Sequence, residues 1–307
     1  MGWGRTAWRA AVGTIVLLAC APAAHAATSL PSCPQTGAKR TLVRESGQLE
    51  SAAFDAAGRL VYTNIARRQL RGLDAPGAPT RAIAVGIDGP GGLALEPGGT
   101  MLVGAGSGAG AVFAPRFGFA RLLRVDLATG EKSVYARGLS MANGVVRAAD
   151  GTVYASDDLA LSLDRITPDG KVQRGWYRTT DTNGLALSAD GRTLFANRSF
   201  GSTRVMAIDT ATGASRTYAR PPGSLSWALF DDLDIDAAGR LYVAVYLAGE
   251  VWRIETDGSM CALARGLVAP AGITVGASGA GFSARSVFVT THAGSLVEIP
   301  DAVPPAA

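Results

Sequence analysis

The sequence predicts an all-β chain folded as a six-bladed propeller of four-stranded blades, and three observations predict it. A unit of alternating apolar and polar residues, a tight Asp-Gly or Ala-Gly turn and a second alternating run recurs six times, which reads as a repeated hairpin. The unit anchors, at Glu50, Gly91, Asn143, Asn183, Asp231 and Ala271, stand 41, 52, 40, 48 and 40 residues apart. That is the period of about 40–50 residues expected of a propeller blade. Finally, the last unit ends one strand short at "SLVEIP", and "KRTLVRES" ahead of the first unit can supply the missing strand. A ring sealed by its own N-terminus leaves no long open edge. With 39 Gly, 15 Pro and 48% hydrophobic residues, the composition suits a turn-rich globular chain.

Taken in order, residues 1–26 read as an export leader: a basic start "MGWGRTAWR", an apolar run "AAVGTIVLLAC", and small-x-small at Ala24-His25-Ala26. Cleavage after Ala26 is the preferred reading, and lipidation at Cys20 is the alternative. The apolar run is shorter than the roughly twenty residues a bilayer span needs. An exported protein, periplasmic or extracellular, follows, with no transmembrane span after leader removal. Residues 27–39 form an N-terminal tail, 40–300 the propeller and 301–307 a C-terminal tail. Losing Arg5 and Arg9 lowers the formal charge from +4 to +2, which gives no case for a nucleic-acid partner. The basic run 66–71, "ARRQLR", reads as a solvated outer strand.

Of three cysteines the mature chain keeps Cys33 and Cys261. In an oxidising compartment these suggest one disulfide, with two unpaired buried thiols as the alternative. His292 is the one histidine left after the leader, which excludes a poly-histidine metal site.

Phe54, Leu93, Val145, Leu185, Leu233 and Ile273 recur early in the first strands, and runs such as "RVMAIDTATG" and "EVWRIETDG" supply further strands. "GSGAGA" at 106–111 follows a strand but opens no helix, so it reads as a flexible loop rather than a dinucleotide fingerprint. Ser107 lacks the glycine a nucleophile elbow needs, because Ala105 takes that place.

The anchors come just before the innermost strands, whose starts converge on one mouth of the channel. Four of them carry side-chain oxygen: Glu50, Asn143, Asn183 and Asp231. Taken singly, the Asn-Gly pairs read as turn chemistry and Asp231 as a strand-entry cap. Together they form a hard-oxygen set of two carboxylates and two amides. Such a set suits a divalent cation, Ca2+ first, with Zn2+, Mg2+ or Mn2+ as alternatives. Ends of the second strands return to the same mouth and nominate Asn64, Asp157, Arg198, Tyr246 and His292 as substrate contacts, with Asn143 beside them. A surface-loop role for His292 is the competing reading, and Trp227 either lines the mouth or packs in the core, with packing the preferred reading.

The registers Glu50–Asp55, Asn143–Gly151, Asn183–Leu194 and Asp231–Gly239 resemble the senescence-marker-protein/gluconolactonase/luciferin-regenerating-enzyme family across nearly all of residues 45–300. The resemblance implies a divalent metal at the channel mouth and hydrolysis of a small lactone or ester. It places Glu50, Asn183 and Asp231 on metal ligands and Asn143 between metal and substrate. Met141 stands where sugar-lactone enzymes often carry arginine, so the implication for aldonolactones is weaker. The expected chemistry is metal-assisted, with Asp231 as the catalytic proton acceptor. A non-catalytic calcium-stabilised propeller that binds a sugar, peptide or envelope protein is the alternative.

Overall fold

The computed structural model describes residues 29–34, 36–106, 119–159, 162–200 and 202–305; the leader, with Cys20, and residues 107–118 of the Gly/Ala-rich insertion lie outside them. Within these residues twenty-four strands form six antiparallel sheets of four, arranged as the blades of a propeller. The innermost strands are Leu49–Phe54, Pro90–Glu96, Val145–Arg147, Thr182–Leu187, Phe230–Ile235 and Pro270–Val275, in blades 1 to 6. In blades 1 to 5 the chain steps outward from the inner strand through three more strands and then crosses to the next blade; in blade 6 it makes only two more. No helix among the described residues is long and apolar enough to cross a membrane.

Six apolar clusters lie among the described residues, one at each junction between consecutive blades. A blade is apolar on both faces, so it is stable only with a neighbour on each side, and the ring satisfies all six at once. Large side chains fill the wedges. Trp252 meets Phe230 edge-on at 5.6 Å, and Phe54 meets Phe288 at 5.2 Å.

Closure follows the sequence expectation. Arg40–Arg44 pairs antiparallel with Ser295–Ile299 as the outer strand of blade 6, with Arg44 opposite Ser295. Just upstream, Cys33 and Cys261 form a disulfide. Cys33 N–H donates to Ala262 O at 2.9 Å and Ala262 N–H donates to Pro31 O at 2.8 Å. The N-terminal segment therefore covers the outer edge of blade 5 and completes blade 6.

The basic run differs from its expected placement. Ala66–Arg68 turns between strands, and Gln69–Leu73 is the third strand of blade 1 rather than an outer one. The Arg71 side chain is only 12% exposed and meets Glu45, whose side chain is 9% exposed, at 2.9 Å.

Candidate metal centre and active site

The anchors of five blades are aimed by a recurring irregularity. In blades 1, 2, 4, 5 and 6 the ladder between the inner and second strands slips just after the first pair; Leu49 faces Asn64, and the next regular pair is Ala52 with Tyr62. The slip takes the anchor and the residue after it out of regular pairing. Such a bulge re-aims side chains, here toward the channel.

The glycine after the anchor has a different cause from the turn chemistry its Asn-Gly context suggests. None of Gly92, Gly144, Gly184 and Gly272 has a left-handed backbone, and neither does Asn143 or Asn183. A Cβ at any of the four would instead lie less than 3.0 Å from backbone atoms of the next blade: Asn143 O, Asn183 O, Leu233 N and Glu50 O, respectively. The glycines let neighbouring inner strands touch and so draw the anchors into one ring.

Hydroxyls and an amide on or just after the second strands hold the inner strands at and beside the anchors. Ser51 N–H donates to Thr63 Oγ1 at 2.9 Å, Gly144 N–H to Ser156 Oγ at 2.7 Å, and Gly272 N–H to Thr290 Oγ1 at 2.8 Å. Thr63, Asn197 and Thr290 in turn donate to the anchor carbonyls of the following blade: Gly91, Asp231 and Glu50. This stitching was visible in sequence as the polar residue in "VYTN", "VYAS", "LFAN" and "FVTT", but strand alternation alone did not assign it a role.

The carboxylates at the mouth are buried and close enough to disturb one another. Glu50, Asn183 and Asp231 are 7, 6 and 5% exposed. Asn183 Nδ2 donates to Asp231 Oδ1 at 2.8 Å. Burial first, and then the charges of Glu50, Asp232 and Asp158, push Asp231 well above the ordinary carboxylate range. Asp158, which the sequence did not single out, belongs to the same group. It accepts a hydrogen bond from the Asn143 side chain, and burial together with Asp157 and Glu50 raises it to about 6. Asp232 is raised to about 8, chiefly by burial, although it accepts backbone N–H bonds from Ile273 and Leu233.

His292 stands at the anchor ring rather than on a detached surface loop. Its Nε2 lies 2.5 Å from Glu50 Oε2, and its Nδ1 lies 3.1 Å from the Tyr246 hydroxyl. With Nε2–H donating to Glu50, Nδ1 is free to accept from Tyr246 O–H, so the two partners select one tautomer. Arg198 is turned toward Thr180 O and Asp181 Oδ1, both at 3.2 Å. Asn64 is fully buried, donating to Ser46 O and accepting from Arg67 N–H. Asp157 accepts from Leu159 N–H at 2.9 Å and shapes its own loop. Trp227, expected in the core, is 53% exposed with its indole N–H on Ser224 O. The short 3-10 turn Gly223–Leu225 buries Leu225 in its place.

The donor set fits a hard divalent cation by its chemistry. Asp158, Asp231 and Asp232, raised by burial and then by neighbouring negative charge, gain from a positive charge among them, and Asn143 and Asn183 add neutral amide oxygens. Among the described residues no three His, Cys, Asp or Glu side chains form a ready-made cage, so the amides are part of any such site.

A ring of six blades with an oxygen-bearing mouth is a known class of protein. The chain matches the SMP-30/gluconolactonase/LRE-like region over residues 50–293 and belongs to that family. Its fold is similar to a gluconolactonase from Xanthomonas campestris, at 21% identity and a TM-score of 0.70 over 85% of this chain and 89% of that one. It is similar also to a calcium-binding protein, regucalcin, from Agrobacterium tumefaciens, at 20% identity and a TM-score of 0.66 over 85% and 93%. A PQQ-bound aldose sugar dehydrogenase from Streptomyces coelicolor shares the architecture at 16% identity and a TM-score of 0.64 over 89% and 99%. No curated protein sequence matches the chain.

Proposed function

We propose that the chain is an exported, divalent-metal-dependent hydrolase of a small lactone or ester. The observation that carries this reading is the ring of Glu50, Asn143, Asn183 and Asp231 at one end of the channel, Asn143 half-buried and the other three buried, with Asp231 raised by burial and then by its charged neighbours. Membership of the gluconolactonase-like family supports the lactone class, and calcium is the first choice for a set of hard oxygens. Export is supported by the leader pattern together with the Cys33–Cys261 disulfide, a bond that persists in oxidising compartments.

Glu50, Asn143, Asn183 and Asp231 would hold the cation, which when bound supplies Lewis-acid polarisation of the substrate carbonyl. Asp231 accepts the proton of the attacking water, and Asn183 fixes its orientation through the 2.8 Å bond. His292, held between Glu50 and Tyr246, presents a positioned imidazole and phenol at the same mouth. A purely structural cation is the weaker reading, because the ring is already stitched by Thr63, Asn197 and Thr290 and closed by the N-terminal strand.

Turnover of a panel of small lactones and aryl esters, measured on chelator-stripped protein with and without added calcium, tests the proposal. Activity is expected only with metal, and Asp231→Asn should lower it by about 100-fold or more while a metal-binding signal remains. Metal-independent turnover, or full activity in Asp231→Asn, would sink it.

A further inference from the structure

The two ends of the ring carry different surfaces. The mouth end holds the loops that follow the second strands and those that lead into the inner strands. Leu159, Phe200 and Leu247 stand in the first kind of loop, on blades 3, 4 and 5, and are 44, 48 and 58% exposed. Trp227 and Val268 stand in the second kind, leading into blades 5 and 6, at 53 and 69%. Val85 and Phe119 lie at the same end. Among the described residues only Leu95 and Val134 are large, apolar and comparably exposed away from it. Single exposed apolar residues are ordinary, but a one-ended distribution is not scatter.

Positive charge gathers on the same end. Arg121 lies directly opposite Arg137 across the outer pair of blade 2, and Arg198 opposite Arg204 in blade 4. Arg220 follows Ala219, which pairs with Val205, and Arg178 ends the outer strand of blade 3. Like charges facing across a ladder are unfavourable without a counter-charge. Among the described residues only Arg198 of this group meets a carboxylate, Asp181 at 3.1 Å. The opposite end differs: Asp150, Asp169, Asp190, Asp209 and Asp257 are exposed at its hairpin turns.

We infer that the mouth end docks on an anionic phospholipid surface. Leu159, Phe200, Trp227, Leu247 and Val268 enter the headgroup–acyl boundary, and the arginines of blades 2 to 4 meet the lipid phosphates. Apolar and aromatic tips on separate loops, flanked by arginine, suit a planar interface better than a single small ligand. The acidic turns at the far end fix which end faces the membrane. Docked this way, the channel opens onto the lipid, although the docking does not depend on what the channel does.

Residues 29–305 contain all six four-stranded sheets and the disulfide, so the chain 27–307 retains the whole fold without the leader's apolar run. Co-sedimentation of that chain with phosphatidylglycerol/phosphatidylcholine vesicles, against phosphatidylcholine alone, tests the inference. The parent is expected to bind the anionic vesicles about tenfold or more tightly than the neutral ones. Phe200→Ser/Trp227→Ser and Arg178→Glu/Arg220→Glu, all at exposed positions, should each weaken that binding about tenfold or more with an unchanged melting temperature. Absence of parental binding to anionic vesicles, or undiminished binding in either double variant, overturns it. So does self-association in sedimentation that Phe200→Ser/Trp227→Ser abolishes without any vesicle binding, which would assign the rim to a second copy.

Discussion

Gly184 and its counterparts decide how tightly the inner strands approach. A methyl group at Gly184 has backbone on its far side, Leu233 N and Asp232 Cα, and neither can yield like a side chain. Gly184→Ala is therefore expected to cost about 2–4 kcal/mol, read from urea unfolding. Gly191→Ala is the contrast: it sits in a turn at φ +68° with nothing within 4 Å, so its cost is backbone strain alone, about 1–2 kcal/mol. Equal losses at the two sites would mean that close approach is not what Gly184 serves. Sequence shows both as glycines in polar turns, since the neighbour that distinguishes them lies about fifty residues away along the chain. Asp158 was hidden for a related reason. Strand alternation carried forward from Val153–Ala155 nominates Asp157, but the loop reverses there and brings Asp158 to Asn143 instead.

Individual strands keep their place through contacts their own ladders do not provide. Thr290 accepts from Gly272 N–H and donates to Glu50 O, so it joins blade 6 to blade 1 at the point where the ring closes. Thr290→Val leaves both backbone groups unpaired in a buried site and is expected to cost about 1–3 kcal/mol; a melting temperature equal to the parent's would contradict this. Asp234 works similarly, its Oδ2 accepting Val275 N–H at 2.8 Å from the adjacent inner strand. In blade 2, Arg124 Nε donates to Glu96 Oε2 at 2.6 Å and holds that carboxyl below its ordinary value. A depressed folded-state pKa contributes stability above the unfolded value near 4.5, and this is lost as pH falls through the lower folded value. Glu96→Gln should therefore flatten the acid side of a stability–pH curve. At neutral pH it should cost about 1 kcal/mol or less, because Arg124 is 42% exposed and solvent screens the pair. An unchanged acid limb would refute the assignment.

The whole ring was the most legible level. Six anchors 40 to 52 residues apart, and an unmatched N-terminal segment, specify the blade count and the closing strand without reference to any side-chain contact. Repetition makes this possible, since each hairpin reports the same register and errors in one unit are corrected by the other five. The path of the tail was less so: Cys33 and Cys261 suggested a pair, but not that the tail would cover blade 5 before completing blade 6. Cys33→Ser/Cys261→Ser is expected to lower stability by about 2–5 kcal/mol, because the bond closes a sequence separation of 228 residues. If equilibrium unfolding gave the same midpoint with and without the bond, the tail would have to be held by its backbone pairing alone.

Calcium titration by calorimetry, on chelator-stripped protein beside Glu50→Gln, tests whether the anchor ring is a cation site. Saturable binding is expected in the parent, with a loss of about tenfold or more in affinity in Glu50→Gln. No binding in the parent, or equal binding in the variant, would contradict the cation site and leave the buried carboxylates as parts of the inner-strand stitching.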